Sequence, residues 1–316
     1  MQIGSHSIGP DHPVFVIAEA SGNHGQDYAT AEALVHAAAD AGADAVKFQT
    51  FTAAEICADV LFPFGHDAAH DAWARGLGVE RLRDLFALGG LPRAWHAPLK
   101  ALAESLGLVF LSTPFSIDAA RFLVEDVGVL ALKIASGDLT FTPLLEYAAS
   151  TRLPVLLSTG GATLDEVRVA CNVLTSDWPH WGDLVLMHCV SIYPCLIIEA
   201  NLRAISTLYE ECQWTMGFSD HTRSTDLIPA MAIALGCAVL EKHFCLAEDS
   251  TSVDVAHSLT PAQLTAYVHT ARRASMILGH GRKEPHALEM HDRKWSRRNP
   301  IDWLRPTQEA RDGDWD

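Results

Sequence analysis

Between Val14 and Leu278, short apolar and β-branched runs alternate with stretches whose apolar residues recur at helical spacing. That alternation is the signature of repeated βα units and a parallel sheet. Eight runs stand out: VFVIAE (14–19), DAVKFQT (44–50), LVFLST (108–113), VLALKIAS (129–136), PVLLST (154–159), LVLMHC (184–189), WTMGFSD (214–220) and CAVLEKH (237–243). Their nearly continuous apolar character suits strands covered on both faces. Eight such strands predict an α/β fold of the closed (β/α)8 TIM-barrel type, a size of domain that this chain can supply.

The intervening helices carry start and stop signals. Asp27 is placed to cap a helix with Ala31, Leu34, Val35 and Ala38 on one face, closed by Gly42. Thr163 and Glu166 form a capping box, and Thr260-Pro261-Ala262-Gln263 forms another with proline at the first helical position, for a helix ending near Gly279. Two stretches break the rhythm. Residues 53–106 are too long for one connection and hold helical pieces at Glu80–Leu88 and Ala94–Leu106, which predicts an inserted excursion over one end of the barrel. Residues 1–13, with Ile3 and Ile8 flanking Ser5-His6, predict a hairpin closing the opposite end.

Composition sharpens this picture. The chain has 316 residues and a formal charge of −16, which argues against a nucleic-acid or anionic-membrane partner. No apolar run has the length of a spanning helix, and the N-terminus has no secretory signature. Seven scattered cysteines without CxxC pairs read as reduced thiols of a cytoplasmic protein. Residues 280–316 hold eight basic and eight acidic groups, so this neutral tail is set off as an extension from a catalytic domain spanning 1–279.

Side chains at the C-terminal ends of barrel strands build active sites, and here every run ends in polar or small residues: Glu19, Lys47 with Gln49, Ser112-Thr113, Lys133 with Ser136, Ser158-Thr159, His188, Ser219-Asp220-His221 and Glu241-Lys242-His243. Only six lysines occur, and three of them are in this set. A single such lysine reads most simply as a structural ion pair; Lys47 and Lys133 on separate strands facing one mouth read as an anion site. Ser136-Gly137 and Ser158-Thr159-Gly160-Gly161 add hydroxyls and backbone N–H groups suited to phosphate. Strands seven, eight and one are neighbours in a closed barrel, so His221, His243 and Glu19 should gather at one side, a donor set for a divalent first-row metal. His24 is read as orienting Glu19, touching substrate or capping a turn, and Tyr193 as entering the mouth or packing. His188 and Cys189 read as core groups.

The motifs IAEASGNHG (17–25), DAVKFQTF (44–51), FLSTPF (110–115), KIASGDL (133–139), LLSTGGAT (156–163), MHCVSIYP (187–194), GFSDHT (217–222), EKHF (241–244) and SLTP (258–261) resemble, in order, the sialic acid synthase family (N-acetylneuraminate synthases and relatives). The resemblance implies condensation of phosphoenolpyruvate with an N-acylmannosamine-type aldose to a 2-keto-3-deoxy acid and phosphate. It implies Lys47, Gln49, Lys133, Ser136, Ser158 and Ser219 as phosphoenolpyruvate contacts, with Ser191 in a position where relatives often have asparagine. It further implies Glu19 as the proton-handling residue, and His221 and His243 as catalytic ligands of a divalent cation, manganese first and magnesium, cobalt or zinc as alternatives. Tyr193 and Asp254 fall on the sugar side, and His24 and Thr113 are assigned there with them. A homodimer is expected.

The sequence also departs from the family. The loop before SLTP reads STSVDVAH and lacks a Gly-Pro-Asp found in many members. Family members usually continue through a linker into a small antifreeze-like domain that reaches the partner's site; residues 295–316 resemble that linker and stop where the domain would start. Two other readings stay open: a Schiff-base aldolase using Lys133 or Lys242, and a sugar- or phosphate-binding relative without turnover.

Overall fold

The computed structural model describes residues 1–65, 68–176, 183–248 and 251–313. Eight parallel strands follow in chain order: β1 (Phe15–Glu19), β2 (Ala45–Thr50), β3 (Val109–Pro114), β4 (Leu132–Ile134), β5 (Val155–Ser158), β6 (Leu184–Cys189), β7 (Thr215–Asp220) and β8 (Cys237–His243). Their ladder order is β3-β2-β1-β8-β7-β6-β5-β4. β3 and β4 lie side by side without a ladder, so the barrel is nearly closed, not continuously hydrogen-bonded as expected. The reason is local. Of the run at 129–136 only three residues are extended, because a π-helical turn at Phe122–Val127 delivers the chain late and a 3-10 turn at Ser136–Asp138 removes it early.

Alternation along each strand creates two cores. Outward residues such as Val16, Val46, Phe48, Ile134, Leu157, Leu186, Phe218 and Leu240 pack under the helices, and inward ones, among them Phe15, Ile17, Ala45, Val109, Leu111, Leu156, Val185, Met187 and Val239, fill the barrel. Ile3 and Ile8 of the N-terminal hairpin, paired Gln2↔Ser7 and Ile3↔His6, join that inner core and seal the barrel floor. Gly217 belongs to this interior: a Cβ there would stand 3.1 Å from both Met187 Cγ and Val185 Cγ1.

The helix signals are realised. The Asp27 carboxylate accepts from Thr30 N at the start of Tyr28–Asp40, the Thr163–Glu166 box opens Leu164–Thr175, and Thr260 precedes Pro261–Leu278. The excursion is shorter than expected. Arg93–Ser105 is the regular helix between β2 and β3, burying His96, Leu99 and Ala103 beside Tyr28–Asp40. Its apolar face at helical spacing is what a barrel crossover requires. The true insertion begins at Ala53, contains helices Ala53–Ile56, Ala68–Gly76 and Leu82–Ala87, and has a small core of Phe62, Ala74 and Val79. It returns beside the loop after β1, where Gln26 Nε2 donates to Gly90 O at 2.8 Å.

The chain divides into compact units at Met1–Ile277 and Leu278–Asp316. Within the second, helices Glu289–Ser296 and Gln308–Arg311 are tied by a Lys294–Glu309 ion pair at 3.2 Å. Among the described residues, no helix is long and apolar enough to cross a membrane.

Candidate active site

Above the apolar interior layers, the same inward parity continues in polar residues. Ile17 is followed two positions on by Glu19, Ala45 by Lys47 and Gln49, Leu111 by Thr113, Leu156 by Ser158, Met187 by Cys189, and Val239 by Glu241 and His243. These line a cavity of about 240 Å³ at the barrel mouth, together with Lys133, Ser136, Ser191, Tyr193, Ser219, His221 and Asp254.

The centre of the cavity is a buried row of alternating charges. Lys47 Nζ lies 2.6 Å from Glu19 Oε2 and 3.6 Å from Glu241 Oε1; Lys133 Nζ lies 3.7 Å from the same Glu241 oxygen. Ser219 Oγ donates to Glu241 at 3.1 Å, Lys47 to Thr113 Oγ1 at 3.0 Å and Lys133 to Ser158 Oγ at 2.6 Å. Burial pushes the Glu19 carboxyl up to about 7, with Lys47 pulling it down and Glu241 adding to the rise. Burial acts the same way on Glu241, but Lys133 and Lys47 outweigh it and hold that carboxyl below its usual range. Two carboxylates on one cluster thus differ in proton affinity, the arrangement that separates a proton carrier from a permanent counter-ion. Glu241 ends its strand run without a motif that marks it as a site residue; its inward parity with His243 is the signal that does.

Beside Lys133 the hydroxyls form a cradle around a bare backbone. Gly160 N donates to Ser136 Oγ at 2.9 Å. A Cβ at Gly160 would stand 2.2 Å from Ser191 Oγ, 2.9 Å from Ser136 Oγ and 3.0 Å from Cys189 Sγ. Glycine therefore keeps the space between these groups open. Gly160→Ala is expected to push both serines out of place and raise the KM for a phosphate-bearing substrate at least about tenfold, the worth of one charge-assisted hydrogen bond, with little change in melting temperature.

The histidines gather at the same mouth, where His221 Nδ1 lies 3.8 Å from Cys189 Sγ beside the cradle. Ring centroids are 5.4 Å apart for His221 and His243 and 4.5 Å for His243 and His257, and Tyr193 lies 4.1 Å from His221. His221 Nδ1 is 2.8 Å from Val190 O, so that nitrogen is the donor and Nε2 keeps its lone pair for a ligand. Burial holds His221 down at about 4 and His243 well below its ordinary value, so both rings are neutral imidazoles at physiological pH, the form that coordinates metal. His243 Nδ1 is buried without a hydrogen-bond partner among the described residues. A divalent cation fits these donors.

Several expected residues sit elsewhere. Lys242 has the opposite parity to Glu241: it is buried behind the strand, ion-paired with Asp220 at 3.6 Å and near the Tyr267 ring at 5.8 Å, outside the cavity. Ser112 also faces outward, bonded to Thr50 at 2.6 Å. His188 is the core group expected, with Nε2 2.9 Å from Ala200 O; Cys189 is not, because it lines the mouth. Thr113 serves Lys47, on the lysine side of the cavity. His24 is buried against Trp95, with its Nδ1 accepting from Gln26 N, and borders a neighbouring pocket instead of the mouth. Ser21 and His257 escaped notice in the sequence. Ser21 adopts φ 48°, accepts from Gln49 Nε2 at 2.7 Å and donates to Asp254, so it links the first and last loops of the barrel.

A nearly closed parallel barrel with ion-paired lysines and imidazoles at its C-terminal mouth defines a (β/α)8 protein with an anion- and metal-compatible centre. Residues 34–283 match the NeuB family, and the chain belongs to that family. It is 38% identical over 290 residues to the N,N'-diacetyllegionaminic acid synthase of Legionella pneumophila, covering 90% of this chain and 79% of that protein. Against the pseudaminic acid synthase of Campylobacter jejuni it is 33% identical over 298 residues, 94% of this chain and 83% of that one. The crystal structure of N-acetylneuraminic acid synthetase from Leptospira borgpetersenii in complex with citrate superposes with a TM-score of 0.79 at 34% identity, covering 92% of this chain and 94% of the other.

Proposed function

We propose that this protein joins phosphoenolpyruvate to an N-acylmannosamine-type aldose, giving a sialic-acid-like 2-keto-3-deoxy acid and inorganic phosphate. Membership of a family whose relatives are named N,N'-diacetyllegionaminic acid synthase and pseudaminic acid synthase supports the class of reaction. The single observation that carries it to these residues is the pairing of Lys47 and Lys133 across Glu241, next to the Ser136–Ser158–Gly160 cradle. Phosphoenolpyruvate bears a carboxylate and a phosphate, and this is where two anionic groups find two cations and a set of short hydroxyl donors.

In the reaction, C3 of phosphoenolpyruvate bonds to the aldehyde carbon, water adds to C2, and phosphate leaves from C2. The aldehyde oxygen takes up a proton as the bond forms. Lys133, Ser158, Ser136 and Ser191 hold the phosphate; Lys47, Gln49 and Ser219 hold the rest of the enol acid. Glu19, with its carboxyl near neutrality, exchanges the proton at the sugar oxygen or the incoming water. Tyr193 and Asp254 border the space left for the sugar. His221 and His243 would hold a divalent ion, manganese by expectation, which when bound polarises the sugar carbonyl.

The test is a panel of free and N-acylated aldoses with phosphoenolpyruvate and manganese, following phosphate release and product mass. Phosphate release matched by a condensed acid is expected with at least one N-acylated aldose and is lost with chelator. No phosphate with any of them overturns the reading. Borohydride trapping of substrate on Lys133 would move the assignment to a Schiff-base aldolase.

A further inference from the structure

The loop between β8 and helix Pro261–Leu278 is where the sequence departs from the family's usual pattern, and it carries two polar side chains to the histidine side of the mouth. Asp254 and His257, together with His243, each offer a donor atom, and the three atoms lie within 4.8 Å of one another. Donors bound to one first-row ion at about 2.1 Å stand roughly 3–4 Å apart, so a small closure brings all three to a shared ion. His257 is 4% exposed, and its Nε2 has no hydrogen-bond partner among the described residues. The nearest carboxylate oxygen, Asp254 Oδ1, is 3.6 Å away. That is too long for a hydrogen bond and a common spacing for two ligands of one metal.

The surroundings hold these groups in place. Asp254 Oδ2 is taken by Ser21 Oγ and by Gly22 N at 3.1 Å, which turns Oδ1 toward His257. Asn23 Nδ2 donates to Ser258 Oγ at 2.8 Å and to Phe244 O at 2.7 Å, and Ser258 Oγ donates to Asp254 O at 2.6 Å. The loop is thereby pinned on both sides of the two candidate ligands. A carboxylate whose second oxygen is fixed by hydrogen bonds is the usual companion of a metal centre.

We infer that His257, with Asp254, directly ligates the divalent ion alongside His243, giving this chain a protein donor set wider than the His221–His243 pair. The inference rests on the metal-dependent reading above but is tested without turnover. Metal-free protein, with no substrate present, is titrated with Co²⁺ and Mn²⁺, following Co²⁺ visible absorption and the rise in melting temperature that a bound ion produces. His257→Ala is expected to weaken Co²⁺ binding at least about tenfold, to change the absorption intensity, and to lose most of the metal-dependent thermal shift while its far-UV spectrum stays that of the parent. His257→Asn serves in its place if the alanine variant does not fold. Wild-type affinity and an unchanged Co²⁺ spectrum in the variant, with binding lost in His221→Ala, overturn the inference. Tight metal binding in a protein that condenses no aldose removes the proposed reaction and leaves the metal centre standing; a wild-type protein that binds neither ion removes the metal centre itself.

Discussion

Glu19→Ala is expected to lower turnover by about 10²–10⁴-fold, the contribution of a positioned proton-transfer group, while phosphoenolpyruvate binding measured by calorimetry persists. The two effects separate because Lys47 touches both Glu19 and Glu241, so removing Glu19 does not strip the lysine of its counter-charge. Wild-type turnover in the variant would remove Glu19 from the chemistry. Its protonation also leaves a signature on stability. A carboxyl whose ordinary value of 4.5 rises to about 7 in the fold takes up a proton on folding between those limits. Its contribution is therefore fully present below about pH 4.5 and is lost as pH rises through 7. In ligand-free protein, Glu19→Gln removes this dependence, so its melting temperature should gain on the wild type between pH 5 and 8. A constant difference across that range would show that Glu19 titrates normally.

The second large effect is expected at Glu241. This carboxylate stands between two buried lysines, and Lys133 depends on it for its ion pair. Glu241→Ala leaves Lys133, among the described residues, with the Ser158 hydroxyl and its neighbour's carbonyl as close acceptors. Removing one member of a buried pair costs about 3–5 kcal/mol, which should appear as a marked drop in melting temperature without ligand. An anion supplies what the mutation removed. Phosphoenolpyruvate should therefore raise the melting temperature of Glu241→Ala by more than it raises that of the wild type. An equal or smaller shift in the variant would mean that the substrate's charge does not meet these lysines.

Much of this was legible in the chain. Apolar runs located all eight strands to within a few residues, capping signals located three of the helices, and Ile3 and Ile8 announced the hairpin. Position in the run brought Glu19, Lys47, Lys133, Ser158, Ser219, His221 and His243 to one mouth. Facing was harder than position. Glu241, Lys242 and His243 are consecutive, and a strand sends only alternate residues inward, so the glutamate and histidine enter the site while the lysine turns to Asp220 and Tyr267. The same parity separates His188 from Cys189. His257 and Ser21 were invisible for a different reason: they reach the site on loops whose path depends on distant partners such as Asn23 and Gln49, and no periodicity encodes that path. Arg93–Ser105 lies within a residue of the helical piece expected at Ala94–Leu106, but the long approach through the insertion hid its role as an ordinary crossover.

The hairpin at the barrel floor has a bearing on traffic. With Ile3 and Ile8 packed into one end of the barrel interior, the mouth lined by Tyr193, Asp254 and the lysine row lies at the other. On the proposed reaction, both substrates meet at that mouth. A phosphoenolpyruvate seated against Lys133 would then lie beneath the aldose, and arrival and departure would follow an order.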